Sequence, residues 1–299
     1  SISTYLTLGL DPVGSALTRS EPNRSWYHVL PMESWLKTGF VIVAMAAVGF
    51  LGSWEASGLV SPRGGIGPTI LQAQSPLSAI LSVVVTIGVA SVVGGFVARI
   101  TTAISGMLVL GFSIFAMAMK LEGIEGFIYG SGNLYLLMIE VVFLSILLLL
   151  GTYIVFAIGG PFVVVKKEGE GNKADIWKAL LISAAILPVV YLVAKSPMRG
   201  QAIGAAAVGG IAIGFLARRF TPSMQPHVYY VFPTALAALG YLFGTLFFPV
   251  SDVAFAQQQV SPLLFPMPIE YAAGLLLGVS LGLSWGISED KLRVEFPLT

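Results

Sequence analysis

The 299-residue chain contains no cysteine. Disulfides, thiolate metal sites, iron–sulfur clusters and a cysteine nucleophile are excluded together, while the redox compartment stays open. Histidine is almost as scarce: His28 and His227 are the two present, and both fall outside the apolar runs. A haem held across a helical bundle wants facing histidines within helices, so neither haem nor a histidine metal site is expected. Charge is the third shortage. Charged residues make up 10% of the chain, against about 25% in soluble domains, too few to coat a water-facing surface. The formal net charge of +1 offers no electrostatic case for nucleic acid. P-loop, HExxH and GxSxG patterns are missing too, as is any carboxylate pair in supporting context. The Gly-rich stretch 123–133 is not followed by the lysine a phosphate site needs. No catalytic residue, metal ligand or cofactor is therefore expected, bound lipids excepted, and the chain reads as a non-enzyme.

What is present is apolar. Hydrophobic residues make up 56% of the chain and the mean hydropathy is +0.87. The runs are long and continuous, whereas barrel strands would alternate in polarity, so the fold class is an all-α polytopic membrane protein. Eight runs lie near 36–54, 76–98, 101–119, 134–158, 177–194, 201–217, 229–248 and 268–287, each close to the roughly 20 residues that cross a bilayer. Ser75-Pro76 and Asn133 read as helix starts, since Ser and Asn cap free N–H groups and Pro fits the first turn. The Gly159-Gly160-Pro161 sequence should end the fourth helix, and Pro188 should kink the fifth. Residues 1–33 are too polar to hold an apolar signal core, so no cleavable signal peptide is expected.

Phrases recur in one order along the chain. Gly95-Phe96-Val97-Ala98-Arg99 returns as Gly214-Phe215-Leu216-Ala217-Arg218, and Ser61-Pro62-Arg63-Gly64 as Ser196-Pro197-Met198-Arg199-Gly200. Trp35-Leu36-Lys37 and Trp177-Lys178 open comparable runs, and Ile139-Glu140 returns as Ile269-Glu270. These echoes suggest a duplicated four-helix unit. The expected organisation is an N-terminal segment 1–33, a first repeat 34–161, a linker 162–176, a second parallel repeat 177–288 and a tail 289–299. With the N-terminus cytoplasmic, 12 of the 16 basic residues fall inside and four, Arg63, Lys120, Lys195 and Arg199, fall outside. The positive-inside rule then places both termini in the cytoplasm. Trp35, Trp177, Tyr229, Tyr230 and Trp285 fall at the inner interface and Trp54 at the outer. The outer loop 249–267 carries a single charge, Asp252, and is expected to lie along the bilayer surface.

Three groups of residues are candidates for function. Gly274, Gly278, Gly282 and Gly286 stand four apart, as do Gly210 with Gly214 and Gly240 with Gly244. Residues at that spacing share a helix face, and such glycine-zipper faces admit a close neighbour, either within the bundle or in another subunit. Glu140 and Glu270 are the carboxylates nearest the apolar runs, and an ionisable group in a membrane helix is a functional candidate. Both fall in the outer halves of their helices, so placement at the membrane edge is expected, with Arg63 and Arg199 on the same side. Arg99, Arg218 and Arg219 sit at inner helix ends as cytoplasmic anchors. Two functions follow. The first is a structural subunit of a larger membrane complex, in contact with lipids and with other membrane subunits. The alternative is a secondary transporter or channel for a small neutral or lipidic solute, with its pathway between the repeats and Glu140 as the ionisable group.

Overall fold

A computed structural model describes residues 34–160, 173–222 and 224–285. The N-terminal segment, most of the linker and the C-terminal tail, with Gly286, lie outside the described residues. The long helices are α1 (Ser34–Glu55), α2 (Pro76–Ile100), α3 (Ala103–Ala118) and α5 (Leu134–Gly159), with a short α4 (Ile124–Tyr129) before α5. After the linker come α6 (Lys173–Ala184), α7 (Ile186–Val193), α8 (Arg199–Phe220) and α9 (His227–Phe247). The last are a short α10 (Asp252–Ala256) and α11 (Pro268–Trp285). Among the described residues there is no strand, only an isolated bridge between Val60 and Ile66.

Six segments are long and apolar enough to cross a membrane: Trp35–Gly58, Pro76–Ile100, Leu134–Gly159, Ile176–Val193, Arg199–Phe220 and His227–Phe247. The chain is a helical, multi-pass membrane protein. Two of the eight expected spans, α3 and α11, fall outside this set. The α3 helix has 16 residues, about 24 Å at 1.5 Å per residue, short of a bilayer's apolar core. The α11 helix dilutes its leucines with glycine, serine and one glutamate.

Local chemistry explains most boundaries. The Asn133 side chain accepts from the Tyr135 and Leu136 N–H groups at 2.9 and 3.3 Å, capping α5. At the other end Gly160 takes φ 92°, a left-handed conformation natural to glycine, and Pro161 cannot continue the helix. Pro76 occupies the first turn of α2 as expected, but the Ser75 side chain makes no cap bond. The fifth run breaks rather than kinks. Pro188 has no N–H for the Ala184 carbonyl and its ring crowds that carbonyl, and the chain leaves the helix at Ala185, between α6 and α7.

The core lies around α11, which packs against α8, α3, α9 and α5 and is buried along nearly all its length. The periphery falls to α1 and to α6–α7, where Trp35, Ile42, Val43, Trp54, Trp177 and Leu181 are exposed. Tyr229 and Tyr230, expected in an interfacial belt with the tryptophans, are buried instead, their hydroxyls bonded to Thr221 and Ser280. The loops after α1, α3, α7 and α9 gather at one end of the bundle. Gln72 exchanges two hydrogen bonds with the Asn133 backbone, Arg199 donates to the Met119 carbonyl, and Tyr129 meets Phe255 edge-on. The 249–267 loop divides in two. Residues 251–253 and 256–259 are exposed, whereas Leu264 and Met267 are buried, with a 3-10 turn over Pro262–Leu264. The apolarity of this second half serves the chain's own core.

Candidate functional site

Glu140 lies in the second turn of α5, facing the loop between α1 and α2. That loop is pinned in place: the Gln74 N–H donates to the Val60 carbonyl at 2.7 Å and the Glu122 N–H to the Ile66 carbonyl at 2.8 Å. The pinning presents the Leu71 N–H to Glu140 Oε2 at 3.0 Å. Glu270 stands at the third position of α11 and reaches back to the Met267 N–H at 2.8 Å, the carboxylate half of a capping box. Both side chains are enclosed, with relative exposures of 0% and 1%. Each stands near the start of its helix, and each is enclosed by protein. In each carboxyl group the second oxygen, Oε1, has no hydrogen-bonding partner among the described residues.

Two tyrosines stand beside them. Tyr241 of α9 donates to the Pro266 carbonyl at 2.6 Å, and Tyr271 of α11 to the Leu263 carbonyl at 3.1 Å. Their rings meet edge-to-face, centroids 5.9 Å apart. The Tyr241 hydroxyl lies within electrostatic reach of both Glu270 and Glu140, so helices α5, α9 and α11 bring the four side chains into one region. Arg199, half-buried at the start of α8, reaches Glu270 electrostatically while its guanidinium donates to Met119 at 2.7 Å. Arg63 is exposed, with its Cδ alongside Gly130. The tyrosines escaped the sequence reading. A tyrosine inside an apolar run needs a partner for its hydroxyl, and that need was the available signal.

A buried carboxylate oxygen without a donor is costly, and the cost is removed by a proton or by a bound ligand. Among the described residues no group of three or more His, Cys, Asp or Glu side chains could hold a metal ion.

The glycine faces are used inside the bundle. A Cβ on Gly274, Gly278 or Gly282 would meet backbone atoms of Ile203, Ala207 or Ile211 on α8, and one on Gly210 or Gly214 would meet the α11 backbone. Of the two occupants expected for this face, the one seen is the chain's own α8, and α11 is central rather than peripheral. Gly240 and Gly244 admit side chains, Leu187 and Leu264, rather than a second backbone. Gly286 lies outside the described residues. Arg99 and Arg219 are exposed at the ends of α2 and α8, and Arg218 is half-buried.

At the end of α5 remote from Glu140, an apolar hollow of about 350 Å³ opens between Leu149, Tyr153 and Phe156 and the Gln225–Pro226–His227 entry to α9. The α5–α9 seam therefore carries the carboxylate–tyrosine cluster at one end and this hollow at the other. No family model matches the chain, and no curated protein or solved structure is significantly similar to it.

Proposed function

We propose that the protein is a secondary transporter or channel for a small neutral or lipidic solute, with its pathway along the α5–α9 seam. One observation carries the reading: two enclosed carboxyl groups, Glu140 on α5 and Glu270 on the adjoining α11, each keep an oxygen without a partner among the described residues. Ionisable groups inside a membrane protein are expensive and mark ion or substrate pathways. The apolar hollow at the far end of the seam suits a solute without charge.

The architecture proposed with it is eight spans in two parallel four-helix repeats, with both termini cytoplasmic. Exchange α1 with α6–α7, α2 with α8, α3 with α9 and α5 with α11. Every neighbouring pair among these helices then has a counterpart: α1–α3 becomes α6/α7–α9, α2–α5 becomes α8–α11, and α5–α9 becomes α11–α3. The α5–α11 contact maps onto itself, which supports a pseudo-twofold axis between the two glutamate-bearing helices. Repeats in the same orientation relate by an axis along the membrane normal, and transporter sites lie at such repeat boundaries. The excess of basic residues on the linker side supports the orientation.

The structural-subunit reading keeps one specific support. Each glutamate already bonds a backbone N–H that would otherwise be unsatisfied, which is work enough for a purely architectural residue. The experiment that separates the two uses the purified chain in liposomes, assayed with a panel of neutral solutes and a fluorescent phospholipid. The transport reading expects movement of at least one of them, abolished by Glu140→Gln in protein that remains folded. Absence of any flux, together with native mass spectrometry showing a fixed stoichiometry with other membrane subunits, would replace it with the structural role.

A further inference from the structure

We infer that Glu140 and Glu270 are proton-binding groups, a step that deepens the transport reading by naming the ion it would carry. The geometry separates a proton from a metal cation. Calcium takes about six to eight oxygens and magnesium a near-octahedral shell. Here each glutamate commits Oε2 to an amide, leaving one free oxygen apiece. The nearby carbonyls of Pro266 and Leu263 already accept from Tyr241 and Tyr271. One oxygen on each carboxyl group is what a proton needs, and neutralisation removes the charge that low-dielectric surroundings penalise.

The groups facing the pair are few. Glu140 accepts from the loop backbone at Ile70 and Leu71 and lies within electrostatic reach of Tyr241 on α9. Neither α2 nor α3 adds a charge near it: α3 has no titratable residue, and the charge of α2 is Arg99 at its opposite end. Glu270 lies within electrostatic reach of Tyr241 and of Arg199. Among the described residues Arg199 reaches Glu270 alone, so the charge of an ionised Glu140 would stay uncompensated unless a proton binds. Both groups sit near the looped end, and Glu140 is tied to the loop through Leu71, so exchange with water takes place from that end.

Dicyclohexylcarbodiimide tests the inference on the intact protein in its membrane, because the reagent attacks the protonated carboxyl group from an apolar phase. Labelling is mapped by peptide mass spectrometry across a pH series, with sodium, potassium, calcium or magnesium chloride added at constant pH. The expected result is modification of Glu140 and Glu270 but not of the exposed Glu125 or Asp252, falling about tenfold over about two pH units as the site deprotonates. The metal salts should not protect. Protection by one cation at fixed pH would make this a cation site and overturn the inference. A second measurement removes dependence on reagent access: infrared difference spectra between two pH values on protein carrying carbon-13 glutamate. They should show a protonated-carboxyl band that is lost in E140Q or E270Q. No labelling and no such band in the native chain would also overturn it. Proton binding without solute flux would remove the transport reading and leave this inference standing. Flux without labelling or band would remove this inference alone.

Discussion

Replacing Gly278 with alanine should open the α8–α11 seam. The added Cβ would stand 2.1 Å from the Ala207 carbonyl oxygen, 2.9 Å from its carbon and 3.0 Å from Ala207 Cα. All three are backbone atoms, so no side chain can rotate away. Moving the closest from 2.1 Å to the 3.4 Å at which ordinary contact begins takes about 1.3 Å of helix separation. The strain cannot stay local. Gly274 and Gly282 are equally close to Ile203 and Ile211, with 2.5 and 2.3 Å between a virtual Cβ and the facing oxygen. A gap of about 0.5–1 Å already forfeits a quarter to a half of a dispersion well. In lipid, that packing has no hydrophobic drive between helices to replace it. The expected cost is about 3 kcal/mol, the upper end for an overpacked core. Gly204→Ala is the control: it lies on the facing helix α8 with nothing within 4 Å of its Cβ position, and should stay within about 0.5 kcal/mol of the native chain. Equilibrium unfolding in mixed detergent micelles, followed by far-ultraviolet circular dichroism, reads both. Equal stability of the two variants would refute the argument. So would G278A protein that stays as stable as the native chain but leaves a complex with another subunit, since the face would then belong to a partner.

Three further outcomes follow from named contacts. Glu140→Leu strips the acceptor from the Leu71 N–H, so hydrogen exchange at that amide should accelerate about tenfold or more, the equivalent of about 1–3 kcal/mol. Glu140→Gln keeps an acceptor oxygen and should exchange near the native rate. Tyr241→Phe removes the 2.6 Å bond to the Pro266 carbonyl and should destabilise by about 1 kcal/mol in thermal unfolding. The chain lacks cysteine, so single cysteines replacing Ser131, Gln257 and Glu170 report topology cleanly. An impermeant thiol reagent added to sealed cells should modify the first two and spare the third, and labelling at position 170 would reverse the orientation.

Helical class and most helix limits were legible from the sequence, because lipid forces every spanning backbone to satisfy its own hydrogen bonds. Once the runs are apolar, local residues such as Asn133, Pro76, Gly160 and Pro188 decide where each helix starts, stops or breaks. The glycine spacing likewise announced close approach between backbones. It could not say which helix approaches, since a bare groove accepts any backbone of suitable shape, and tertiary structure seated α8 against α11 at the centre of the bundle. Glu140 and Glu270 were placed by sequence position near the ends of apolar runs, where charge is least costly. Whether such a group meets solvent or protein depends on loops that come from elsewhere in the chain. The 66–72 segment folds over Glu140 and the 260–267 segment over Tyr241, and only those long-range closures turn two helix-end carboxyl groups into an enclosed site.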